Sequence, residues 1–86
     1  CTSDIRGSER ALRVALATLR AKVPTEYASY LGHAQRAWLA YRDRTCEWEA
    51  SGNPGSTMWS SAVIACTADM NRDRVKYLNQ DLRERW

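Results

Sequence analysis

The run Cys46-Glu47-Trp48-Glu49-Ala50-Ser51-Gly52-Asn53-Pro54-Gly55-Ser56-Thr57-Met58-Trp59-Ser60-Ser61-Ala62-Val63-Ile64-Ala65-Cys66 decides the fold of this chain. Its centre, Ser51 to Ser56, holds Gly52, Asn53, Pro54 and Gly55 in succession, a strong turn signal. On either side, apolar residues recur at three- and four-residue intervals, the period of a helix, and strand-type alternation is absent. Two cysteines straddling such a turn are placed to join neighbouring helices. In the chain-entropy model a loop of that size contributes about 3 kcal/mol, and its survival requires an oxidising compartment. Two reduced, buried helix cysteines are the alternative that the same spacing allows. The bridge closes most easily if residues 56–60 stay loop, because Cys46 lies about one turn before the break and Cys66 more than two turns after it.

Upstream, Pro24 is the second punctuation mark. Before it, Leu12, Leu16, Leu19 and Val23 form a helical stripe with Ala11 and Ala15 beside it, starting near Ser8 and Glu9. After it, Thr25 is a candidate N-cap, with Glu26 near the positive helix end. Tyr27, Tyr30, Leu31, Ala34, Ala37, Trp38 and Tyr41 then fill one face and predict the buried stripe of the second helix. Gln35, Arg42 and Cys46 fall along one flank of it. Beyond the turn, Met58, Trp59, Ala62, Val63, Cys66, Met70 and Tyr77 predict a third stripe, capped by Thr57 or Ser60 and continuing through Leu78 and Leu82. The expectation is an all-α fold: three helices over about 8–23, 26–50 and 58–85, the last two an antiparallel αα-hairpin clamped by Cys46–Cys66, in a single helical domain over residues 1–86.

Eighty-six residues bearing 44% hydrophobic and 27% charged side chains describe a globular chain with a thin core. No apolar run approaches the length of a membrane span. Thirteen Lys and Arg against ten Asp and Glu give a net charge of +3, with the excess in residues 1–23. Acids interleave with bases almost everywhere, as on a solvated mixed-charge surface and unlike a nucleic-acid interface.

Catalytic patterns are weak. His33 with Ser29 lacks an orienting third group, and the acidic pairs Glu47/Glu49 and Asp69/Asp73 suit ion pairs better than acid–base chemistry. No phosphate loop, dinucleotide fingerprint or metal-ligand spacing is present, so neither cofactor nor metal is expected. The aromatic inventory, four Trp and four Tyr without Phe, reads mainly as core, with Trp59 and Trp86 left for partner contacts. Arg42, one turn from Trp38, is placed either to cover the ring and donate to carbonyls of the Gly52–Gly55 turn, or to present a cation to a partner. Arg74 has the same two readings.

The block Leu31-x-x-x-Gln35-Arg36-Ala37-Trp38-Leu39-Ala40-Tyr41-Arg42-Asp43-x-x-Cys46, followed by Gly55, Cys66, Arg74 and Leu78, resembles the signature of the LprI-type lysozyme-inhibitor family of small helical bacterial envelope proteins. The likeness runs from about Leu31 to Leu78. Departures lie in the first helix, where Leu12-Arg13-Val14-Ala15-Leu16 replaces the family's Leu-Asn-x-x-Tyr element, and at Asn71, where the family carries Thr. The resemblance implies a non-enzymatic protein of the periplasm, cell surface or exterior that protects peptidoglycan by binding an animal-type lysozyme, with the motif residues mainly structural. It leaves Cys1 as an orphan thiol or a lipid-attachment point. Such lysozymes are strongly cationic, so a chain of charge +3 gains no long-range steering toward them. Contact then falls to local groups: Asn53, Ser56 and Trp59 at the turn, with Arg42 or Arg44 facing carboxylates. An envelope glycan- or anion-binding domain, and an immunity-type partner of a secreted toxin, are the alternative readings.

Overall fold

The structure, a computed structural model, describes the backbone of residues 2–52 and 56–86 and the side chains of residues 5–52 and 59–86. It contains three helices, α1 (Thr2–Lys22), α2 (Thr25–Ala50) and α3 (Ser56–Arg85), and no strand among the described residues. The helical period of the sequence is therefore realised throughout, and the expected all-α hairpin with its Cys46–Cys66 bridge is present, at a Cα–Cα separation of 5.5 Å.

α3 is the central element. It packs against both α1 and α2, which make little direct contact with each other. Asn71 on α3 reaches Ser8 near the start of α1, and Leu78, seven residues on, shares the apolar cluster with Leu19 and Val23, so α1 and α3 run parallel. Cys46 meets Cys66, Gln35 meets Arg74 and Tyr27 meets Trp86, so α2 runs antiparallel to α3. Leu12, Ala15, Leu19, Val23 and Leu78 form the buried cluster, with Leu16, Leu31, Trp38, Val75 and Leu82 packed around it. This core is thin, and it thins further toward the bridge, where Met70 Sδ packs 3.7 Å from Cys46 Sγ.

Boundaries and caps differ from the sequence expectation. α1 starts at Thr2, six residues before Ser8, and Ser8 is a buried mid-helix residue whose hydroxyl donates to the Ile5 carbonyl. Thr25 is the first helical residue of α2. Pro24 occupies the cap position without a side-chain hydrogen bond, its carbonyl accepting from Tyr27 N–H. Thr57 and Ser60 lie inside α3, which already begins at Ser56, so the bridge closes without a loop over residues 56–60. The reason is a stagger. Cys66 stands ten residues into α3 and Cys46 four residues from the end of α2, so α3 overshoots α2 by about 9 Å. The intervening segment 51–55 is long enough to span that distance.

Orientation of α2 is the larger correction. Its inward seam keeps Leu31 and Trp38 of the stripe read from sequence and joins to them the flank Gln35, Arg42 and Cys46, with Ala50. Tyr27, Tyr30, Ala34, Ala37 and Tyr41, expected in the core, face solvent. Two causes act together. The Cys46–Cys66 bond turns the flank toward α3, and α1, which packs mainly on α3, leaves the aromatic side of α2 uncovered. Likewise Tyr77 and Trp59 on α3 are exposed, off the stripe that α3 buries through Thr67, Ala68, Asn71 and Leu78.

Candidate functional site

Three regions gather the candidate residues: the polar seam between the helices, the outer face of α2, and a groove at the α1–α2 turn. The seam contains most of the motif. Asn71, fully buried, accepts from Arg42 Nη1 through Oδ1 at 3.1 Å and donates through Nδ2 to Ser8 Oγ at 3.1 Å. One amide thereby ties the three helices together, using both its donor and its acceptor. Arg42 also pairs with Asp43, its Nη2 2.8 Å from Oδ1. The guanidiniums of Arg42 and Arg74 both lie over Trp38, 5.6 and 5.4 Å from its ring centroid. Arg74 donates from Nε to Gln35 Oε1 at 3.1 Å and lies 5.0 Å from the Tyr77 ring, while Gln35 Nε2 is buried without a partner.

The two arginines are held differently in this seam. Arg42 covers Trp38 as expected and donates to Asn71 and Asp43; the turn carbonyls of residues 53–55 lie outside the described residues. The charge of Arg42 is paired with Asp43 and its side chain is largely covered. Arg74 shares Trp38 with Arg42 but has no carboxylate within ion-pair distance among the described residues. Burial pushes its guanidinium below the ordinary value, and the fields of Tyr77 and Asp81 act in the opposite direction. Leu31 and Leu78 belong to the apolar core.

The outer face of α2 carries Tyr27, Tyr30, Ala34, Ala37, Tyr41, Arg44 and Trp48, every one exposed and spaced alternately by three and four residues. Trp48 is 75% exposed, Tyr30 69% and Tyr41 62%. That spacing is the seam period of helix pairing; its first residues, Tyr27, Tyr30 and Ala34, also border a groove shared with α3. Its only charge is Arg44, which pairs with Glu47 at 3.0 Å. The stripe ends at the bridged tip, near which Trp59 is also exposed. Of the turn residues expected to meet a partner, Asn53 lies outside the described residues, as does the side chain of Ser56. Gly55 and Cys1 fall outside them as well. Trp48 escaped the sequence reading because it stood near the turn and off the expected core stripe; its place seven residues after Tyr41 was the available signal.

At the opposite end, α2 and the C-terminal half of α3 diverge around a groove of about 610 Å³. Tyr27, Tyr30, Tyr77 and Trp86 supply its rings, and Arg74, Asp81 and Arg85 its charges. Tyr27 and Trp86 pack at 6.1 Å between centroids, and Asp81 accepts from Arg85 at 3.2 Å. Among the described residues no helix is long and apolar enough to cross a membrane.

Comparison with known proteins adds an independent line. The family model described as "Lysozyme inhibitor LprI" matches residues 2–78. An uncharacterized protein of Rhizobium meliloti (strain 1021), R02472, is 38% identical over 50 residues, which is 58% of this chain and 36% of that protein. The match thus spans about a third of that relative's length. No solved structure matches the chain.

Proposed function

The chain belongs to the LprI lysozyme-inhibitor family, and on that premise we propose that it is an extracytoplasmic, non-enzymatic protein that binds a lysozyme and so shields peptidoglycan. The observation that carries this reading is the extent of the family match, residues 2–78, which takes in all of the polar seam. Because Gln35, Trp38, Arg42, Cys46 and Cys66 are spent on holding the helices together, the contact with the enzyme falls to surface residues. The bridge favours an oxidising compartment such as the periplasm, the cell surface or the exterior. Cys1, if it is a lipid-attachment point, would hold the chain at a membrane.

The contact surface we assign is the outer face of α2, from Tyr30 through Tyr41 and Arg44 to Trp48 and the tip with Asn53, Ser56 and Trp59. Charge favours it. Arg10, Arg13 and Arg20 on the exposed side of α1 repel a cationic enzyme, whereas the α2 stripe is almost uncharged and rich in the aromatic rings that anchor protein interfaces. A suspension of bacterial cell walls cleared by animal-type lysozyme tests the proposal. Clearance should slow as the protein reaches micromolar concentration, and a rate unchanged over that range removes the inhibitory function. Within an active protein, Trp48→Ala should weaken inhibition about tenfold or more, as loss of an aromatic anchor does, without altering the helical circular-dichroism signal.

A further inference from the structure

Resting on that envelope reading, we propose that the groove at the α1–α2 turn is a second binding site, which takes a carboxylate-bearing fragment of peptidoglycan on Arg74. Two arginines share Trp38, and they differ in one respect. Arg42 has Asp43 at 2.8 Å; Arg74 has no carboxylate within ion-pair distance among the described residues. Asp81, the acid that lines the same groove, is engaged by Arg85. The Arg74 guanidinium is held by one bond from Nε to Gln35 and by the Trp38 and Tyr77 rings, and among the described residues its two terminal nitrogens donate to no side chain or backbone carbonyl. A half-buried, oriented fork with both terminal donors unspent matches the two oxygens of a carboxylate.

The rest of the groove specifies what the carboxylate is attached to. Tyr27, Tyr30, Tyr77 and Trp86 offer apolar ring faces with polar tips, suited to a body that is apolar on one side and hydroxylated or amidated on the other. A volume of about 610 Å³ lies within the range of small-ligand sites. Peptidoglycan contains two such carboxylates, the lactyl group of its muramic sugar and the C-terminus of its stem peptide. The chemistry recognised is the same, a carboxylate beside an apolar body.

Amide and indole N–H resonances of the full chain, followed during titration, distinguish these sources. The probes are N-acetylmuramic acid (ring and carboxylate), N-acetylglucosamine (the ring alone) and D-alanyl-D-alanine (a peptide carboxylate). Either carboxylate probe should shift Tyr30, Tyr77, Arg74 and the Trp86 indole, and the one that does so identifies the source. N-acetylglucosamine should bind about tenfold more weakly or worse, having lost a charge-assisted pair. Gln35→Glu places a carboxylate against Arg74 from inside the fold and should abolish binding while every lining residue remains. Tyr30→Ala, at an exposed position, should weaken binding severalfold with an unchanged thermal midpoint. Three results overturn the site: no shift from any carboxylate probe at millimolar concentration, equal binding of the two sugars, or wild-type affinity in a Tyr30→Ala or folded Gln35→Glu protein. The wall-clearance assay reports on lysozyme inhibition separately, so loss of one property does not imply loss of the other.

Discussion

The two long faces of α2 are built from opposite materials for their positions. The face turned toward α3 carries Gln35, Arg42 and a cysteine beside Leu31 and Trp38, whereas the face turned to water carries three tyrosines, two alanines and Trp48. In a larger protein the apolar side would be expected inward. Here a covalent bond and a single buried amide set the rotation of the helix, because Asn71 and Cys66 on α3 meet only the polar flank. In a chain with so small a core, a few satisfied polar contacts outweigh the count of apolar side chains along a helix face.

The sharpest break of this contrast is Trp38→Ala. The ring lies under two guanidiniums and against the apolar cluster, so its loss should cost about 3–5 kcal/mol in urea unfolding. A near-neutral result would place Trp38 with the outward tyrosines. Cys46→Ser and Cys66→Ser should each cost about 3 kcal/mol. The two losses should match, since either substitution removes the same bond; a wide difference contradicts the bridge as the element that sets the rotation of α2. Arg42→Ala should cost about 1–3 kcal/mol, because it leaves the buried Asn71 oxygen without its donor, while Arg44→Ala, which breaks an exposed pair on the other face, should stay within about 0.5 kcal/mol.

Helix number, the bridge and the antiparallel hairpin were legible in the sequence because each rests on local information: period, punctuation and the placement of two cysteines about one turn. The core of α1 was legible for the same reason, as Leu12, Leu19 and Val23 form one unbroken stripe against a single neighbour. The rotation of α2 was not. Tyr27, Tyr30 and Tyr41 share hydropathic character with Leu31 and Trp38, and only the way α1 and α2 both pack on α3 decides which of them is covered. The motif residues Gln35, Arg42 and Arg74 could be placed near one another, but not assigned partners, because Arg42 meets Asn71 across 29 residues of sequence, Asn71 meets Ser8 across 63, and Arg74 meets Gln35 across 39. Ser8 itself looked like a helix start, since a serine before an apolar run carries that signal whether or not another helix supplies an amide to it. The groove had no sequence signature, as its rings come from α2 and from the far end of α3.

The rotation of α2 is tested most directly by one pair of variants in one urea titration, Asn71→Ala and Tyr41→Asp. With Asn71 at the junction of three helices and Tyr41 in water, the first should lose about 1–3 kcal/mol and the second should stay within about 0.5 kcal/mol of the parent chain. The reverse order, a tolerated Asn71→Ala beside a Tyr41→Asp chain that unfolds, would mean that the aromatic face is the buried one.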